Sequence, residues 1–119
     1  MELPLDDASE TPEAGSLSVA TTSGHATMTL RGEFDLALAL TVRTTLRDLL
    51  VEGPIDVDVN LAEVTFIDSS ALGALLGGHR QARVFRSAFR LQAPSAPVKR
   101  LLVLTALDRV FEICDEDDS

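Results

Sequence analysis

Hydrophobic and polar positions alternate along Leu17-Ser18-Val19-Ala20-Thr21 and again along Ala26-Thr27-Met28-Thr29-Leu30, with Ser23-Gly24 between them. Two alternating runs joined by a short Gly-containing turn predict a β-hairpin. Gly32-Glu33-Phe34-Asp35 breaks the second strand, and Asp35 is placed to cap a helix from Leu36 to about Leu50. Ala39, Val42, Leu46, Leu49 and Leu50 form the apolar stripe of that helix, Arg43, Thr44, Arg47 and Asp48 its polar side, and Gly53-Pro54 ends it.

Ile55 to Val59 sets Ile and Val against Asp56 and Asp58, the pattern of a strand with one covered face. A second β-branched run, Val64 to Ile67, stops at Asp68-Ser69-Ser70. Beyond it an Ala/Leu/Gly segment places Leu72, Leu75, Leu76 and His79 on one helical face, predicting a helix from Ser70 to about Val84 or Phe85. Gly73, Gly77 and Gly78 lower its helix propensity and are expected to serve close packing against a strand. Ala88 to Gln92 reads as a strand. Ser95 then caps a third helix with Pro97 in its first turn and Val98, Leu101, Leu102 and Thr105 as its stripe up to Leu107. Asp108 to Ile113 alternates again as a last strand. The order β-β-α-β-α-β-α-β predicts a single α/β domain, a mixed and mostly parallel sheet with an N-terminal antiparallel hairpin and packed helices.

The net charge of -9 changes this picture little, because it sits at the ends. Residues 1–13 hold five acids and no base, and residues 115–119 hold four acids and no base. Residues 14–114 carry ten acids against ten Lys plus Arg. The expected division is an acidic disordered leader over 1–15, a folded domain over 16–114 and an acidic tail over 115–119, the tails serving solubility. A body without basic excess argues against direct nucleic-acid binding, and Arg80, Arg83, Arg86 and Arg90 read as a solvated helix face. No apolar stretch reaches the roughly 20 residues of a membrane span, and the acidic start lacks signal-peptide features, so a soluble, cytoplasmic protein is expected. Cys114, the single cysteine, reads as a small residue near the end of the last strand.

Little in the chain suggests catalysis. Ser69 and Ser70 lack a Gly-x-Ser-x-Gly elbow. His79 lies two helical turns beyond them, roughly 11 Å of rise, and His25 belongs to the hairpin turn. No Lys-Ser/Thr follows the glycines as a phosphate loop requires. No His/Cys/Asp/Glu spacing suggests a metal, and Asp56, Asp58 and Glu63 read as solvated carboxylates. The expectation is a non-enzyme with neither cofactor nor metal.

Three stretches carry a family resemblance. They are Leu30-Arg31-Gly32-Glu33-Phe34-Asp35, Phe66-Ile67-Asp68-Ser69-Ser70-Ala71-Leu72-Gly73, and Ser95 to Leu102 with Thr105-Ala106-Leu107. Over about residues 16 to 113 the chain resembles the STAS domains, named for sulphate transporters and anti-sigma factor antagonists. Its short form looks like the bacterial antagonists rather than the transporter-attached versions. Phe34 stands where the family commonly has Leu and Ala71 where many members have Gly; both keep apolar or small character.

The resemblance implies a STAS-like fold and a regulatory binding protein. Its unphosphorylated form would bind an anti-sigma factor serine kinase and so release a sigma factor. Phosphorylation of Ser69 would switch it off, and a phosphatase acting on phosphorylated Ser69 would restore it. Asp35, Asp68, Ser70, Ala71 and Leu72 are the expected partner-binding residues. The alternative is a non-switching STAS accessory subunit of a signalling scaffold or a lipid-transport complex. The physics of the joint is compatible with the first: a helix N-terminus offers unpaired N–H groups and about half a positive charge, so a serine there is either a cap or a phosphate site.

Overall fold

A computed structural model describes residues 14–115 of the 119-residue chain. Residues 1–13 of the leader expected over 1–15, and residues 116–119 of the tail expected over 115–119, lie outside the described residues. The elements are β1 (Ser16–Thr22), β2 (His25–Phe34), α1 (Leu36–Val51), β3 (Asp56–Ile67), α2 (Ser69–Val84), β4 (Phe89–Gln92), α3 (Ala96–Leu104), a short 3₁₀ turn (Leu107–Arg109) and β5 (Glu112–Cys114). Their order is the one read from the sequence.

The five strands lie side by side in chain order, β1-β2-β3-β4-β5. β1 pairs antiparallel with β2, and every later neighbour is parallel. Right-handed crossovers between parallel strands that advance in one direction place their helices on a single face of the sheet. The burial pattern follows. Ala26, Met28, Leu30 and Phe34 of β2 are buried while Thr27, Thr29, Arg31 and Glu33, on the other face, are half-buried. The core lies between that covered face and the stripes of α1 (Leu38, Ala39, Val42, Leu46, Leu50) and α2 (Ala71, Leu72, Ala74, Leu75, Ala82). Each fully buried Leu, Val or Phe there stabilises the fold by roughly 1.5–3 kcal/mol.

Three local readings are corrected. The two apolar runs around Asn60–Glu63 belong to one strand, β3, of 12 residues. Asn60 Oδ1 accepts from the Ala62 N–H at 2.9 Å, and the β2–β3 register shifts between Thr29 and Arg31 and between Gly32 and Glu33. Bulges of this kind disrupt the two-residue period while the ladder continues. Gly32, at φ 80°, takes up a left-handed conformation at the second shift, so β2 bends there instead of breaking and runs on to Phe34. The last strand is shorter than expected. Ala106 adopts φ 62°, and the Leu107 carbonyl accepts from the N–H groups of Val110 and Phe111, which curls 107–109 into a turn and leaves only Glu112–Cys114 extended.

Ser95 also departs from its expected role. It occupies the N-cap position of α3 but makes no side-chain cap. Its hydroxyl donates instead to the Val64 carbonyl at 2.7 Å, and its N–H donates to the Leu61 carbonyl at 3.2 Å. Both bonds tie the start of α3 to the second half of β3, near the strand end that carries Asp68.

Candidate functional site

β2 and β3 end side by side, and each passes into a helix through an aspartate. Phe34 and Ile67 are register partners, and the Asp68 N–H donates to the Phe34 carbonyl at 3.4 Å. Asp35 caps α1, accepting from the Leu38 N–H at 3.2 Å; Asp68 caps α2, accepting from the Ala71 N–H at 3.1 Å. Both caps have extended backbone, as N-cap residues do. Neither helix carries an acid within its first turn, so the positive ends of two dipoles face one rim.

Ser69 is the first residue of α2, one position earlier than the sequence suggested. Because Asp68 supplies the cap, the Ser69 hydroxyl is released from capping. It is exposed and makes no hydrogen bond with another described residue. Ser70 is half-buried. Ala71 and Leu72, expected at the partner surface, are buried at 0% and 4% exposure. Their side chains anchor the first turn to the core and hold the serine at the rim.

The rim has neighbours that the sequence did not single out. Leu36 and Leu40 of α1 are more than half exposed, and so nearly is Phe66, two residues before Asp68. Of the three glycines in α2, only Gly78 serves close packing: a Cβ there would stand 2.6 Å from Leu46 Cδ1 and 3.0 Å from Phe89 Cε2. Gly73 and Gly77 face open space, leaving a bare helix surface that starts one turn beyond Ser69. Spacing was the available signal, since Leu36/Leu40 and Gly73/Gly77 each repeat at four residues off the buried stripe. A shallow cavity of about 340 Å³ at the end of β3 is lined by Phe66, Ile67, Pro97, Arg100, Leu101 and Leu104 among others.

Other polar groups of interest lie away from this rim. Asp58, near the start of β3, is the one buried charged residue among those described. Its Oδ1 accepts from Arg90 Nε at 2.6 Å and its Oδ2 lies 2.8 Å from His25 Nε2. Burial pushes the Asp58 carboxyl up, but the hydrogen bonds from Arg90 and His25 outweigh it and hold it below its ordinary value. The Asp58 hydrogen bond raises Arg90 in turn. Asp58 is therefore not the solvated carboxylate expected, nor Arg90 part of a helix face, whereas Arg80, Arg83 and Arg86 are exposed as expected. Glu63 pairs with Arg31 at 3.2 Å.

His79 packs edge-on against Phe89 and Phe111, with ring centroids 6.3 and 5.5 Å away, and its Nδ1 is buried without a partner among the described residues. Burial lowers its pKa, and Arg83 and Arg80 add to the effect. With His25 committed to Asp58, neither imidazole is aimed at Ser69. Among the described residues no three His, Cys, Asp or Glu side chains converge as a metal site would require, and no helix is long and apolar enough to cross a membrane.

Comparison with known proteins joins these features to one group. The anti-sigma-B factor antagonist of Listeria monocytogenes is 30% identical over 89 residues, 75% of this chain and 78% of that protein. An anti-sigma factor antagonist from Mycobacterium paratuberculosis superposes with a TM-score of 0.79 at 21% identity, covering 91% of this chain and 92% of that one. The antagonist SpoIIAA, in its unphosphorylated form, gives a TM-score of 0.75 at 21% identity over 85% of this chain and 90% of its own. The family model described as "Mlab, STAS domain" matches residues 17–113, from β1 to β5, and the chain therefore belongs to the STAS domain family.

Proposed function

We propose that this protein is an anti-sigma factor antagonist whose unphosphorylated form captures an anti-sigma factor serine kinase and thereby frees a sigma factor. Ser69 is the switch, its phosphorylation ends capture, and a phosphatase restores it. The observation that carries this reading is the exposed hydroxyl of Ser69, without a hydrogen bond among the described residues, at the first position of α2 directly behind a cap supplied by Asp68. The Listeria relative, an anti-sigma-B factor antagonist, supports the assignment of role.

The chemistry required of the protein is reception of a phosphoryl group and discrimination between two states. An exposed serine on a helix N-terminus meets the first need, because the adjacent N–H groups and dipole favour the anion once attached. The second need follows from the neighbours. A phosphate brings about -1.5 to -2 charge at neutral pH, and here it lands beside Asp68 and near Asp35. The partner surface is read as Asp35, Asp68, Ser69 and Ser70 with the exposed apolar flank of Leu36, Leu40 and the bare face at Gly73 and Gly77. A kinase docked there would have to desolvate the phosphate without a compensating charge, which costs several kcal/mol. The protein itself performs no catalysis in this scheme, and the switch operates in the cytoplasm, where the sigma factor works.

Incubation with the cognate kinase and ATP, followed by mass spectrometry of the peptide containing Ser69, tests the reading. Phosphate on Ser69 with loss of kinase binding is the expected result. A protein that stays bound and unmodified would support the non-switching accessory role instead.

A further inference from the structure

We propose that β1 is a self-association edge, through which two copies of this chain pair antiparallel about a two-fold axis centred on Val19. Among the described residues β1 is an outer strand of the sheet, seven residues long and bonded on one side only. Its sequence, Ser-Leu-Ser-Val-Ala-Thr-Thr, contains no charge and no proline, and its register with β2 runs without a shift from Ser16↔Arg31 to Thr22↔His25. Exposed edges are ordinarily guarded by charge, proline, a bulge or shortness. The opposite edge is guarded: β5 has three residues, includes Glu112 and is followed by Asp115.

The backbone fixes which groups of β1 are available. The Asp56 N–H donates to the Gly24 carbonyl at 3.0 Å, so in the parallel β2–β3 ladder Gly24, Ala26 and Met28 point toward β3. His25, Thr27 and Thr29 then point toward β1 and bond to Thr22, Ala20 and Ser18. The N–H and C=O groups of Leu17, Val19 and Thr21 are left facing outward. Centred on Val19, a two-fold pairs Val19 with Val19, Leu17 with Thr21, Ser18 with Ala20 and Ser16 with Thr22. Every outward-facing residue meets an outward-facing residue, giving about six ladder hydrogen bonds.

The same register keeps faces matched. Leu17, Val19 and Thr21 pair with Met28 and its neighbours on the helix-covered side, while Ser16, Ser18, Ala20 and Thr22 lie on the open side. Pairing extends both faces across the junction, and Val19, 36% exposed, gains a copy of itself as neighbour. No charged pair is created between the paired strands, and residues 14–114 are formally neutral. The net charge of -9 comes from residues 1–13 and 115–119, so added salt should favour association. Because β5 is too short and acidic to receive β1, the contact is isologous and closes at two copies instead of growing into a filament.

Two measurements on the full chain test this without any kinase, so the outcome is independent of the switch. Sedimentation equilibrium of the wild type should show the mass rising from 12.8 kDa toward twice that value with concentration. Val19→Lys, which places two lysines face to face, should sediment as a folded monomer that still melts cooperatively, at a temperature independent of concentration. In a Cys114→Ser background, Val19→Cys should form a disulfide-linked dimer on mild oxidation, since directly paired residues lie about 5.5 Å apart between Cα atoms, within disulfide reach. Thr22→Cys, which faces Ser16 and lies far from its own copy, should give at least tenfold less. A wild type that stays monomeric to about 1 mM, or a dimer that survives Val19→Lys while Val19→Cys fails to crosslink, would overturn the proposal.

Discussion

Asp35 and Asp68 occupy equivalent positions on neighbouring parallel strands: each follows the last residue of its strand and accepts a hydrogen bond from the backbone N–H three residues on. The two caps bring the N-termini of α1 and α2 to one rim. Ser69 inherits its exposure from this arrangement, because its neighbour has taken the capping role.

Loss of either cap should be felt mainly as stability. Asp68→Ala and Asp35→Ala should each cost about 1 kcal/mol, a drop of roughly 4–8 °C in melting temperature for a domain of this size. Asp35→Lys adds a positive charge at the proposed docking rim, and it should weaken kinase capture by more than its stability loss explains. Thermal melts beside a kinase titration separate the two effects; unchanged affinity would remove Asp35 from the partner surface.

The glycines of α2 should divide into two kinds. Gly77→Ala and Gly73→Ala meet open space, so each should raise stability by about 0.5–1 kcal/mol through helix propensity. Gly78→Ala drives a methyl into Leu46 and Phe89, and it should destabilise by about 1–3 kcal/mol. If the bare face is a docking track, Gly77→Ala will stabilise the protein and yet weaken capture. Denaturant titration of the three variants checks the division.

Acid should destabilise the fold in two separate windows. Burial lowers the His79 pKa below its ordinary value near 6.5, so the unfolded chain takes up this proton first. The contribution of neutral His79 is complete above pH 6.5 and is lost as pH falls below it. Asp58 is held below its ordinary value near 3.8, so its contribution is complete above that value and is lost as pH falls further. Stability measured against pH should lose its upper limb in His79→Phe and its lower limb in Asp58→Asn. Asp58→Asn should also cost about 1.5–3 kcal/mol at neutral pH, because it weakens the bond to Arg90.

Element order, the hairpin and the Asp-Ser-Ser joint were legible because local signals and the fold agree there. Alternation marks β1 and β2, and Asp35 and Asp68 sit where strand patterns give way to helical ones. The continuity of β3 through Asn60–Glu63 was not legible, because the bulges opposite Thr29–Glu33 destroy its period, and Ser95 looked like a cap because its bond to Val64 spans 31 residues. The Asp58–Arg90–His25 cluster was hidden for the same reason, its partners being 32 and 33 residues away. At the rim, the start of the helix at Asp68-Ser69-Ser70 was legible, whereas the burial of Ala71 and Leu72 was not. Helical spacing shows which residues share a face, whereas which face is buried depends on the sheet beneath.

In the proposed switch, one phosphate on Ser69 decides binding without refolding the domain. The direct measurement is an equilibrium titration of the cognate kinase with unmodified protein and with protein phosphorylated at Ser69, alongside thermal melts of both. An uncompensated charge costing about 3 kcal/mol corresponds to a roughly hundredfold loss of affinity, and the melts should remain cooperative because the helix N-terminus accepts the anion. Ser69→Asp should likewise bind poorly, and Ser69→Ala should stay bound in the presence of ATP. Equal affinity of the two forms, or phosphate found on Ser70 alone, would contradict the account.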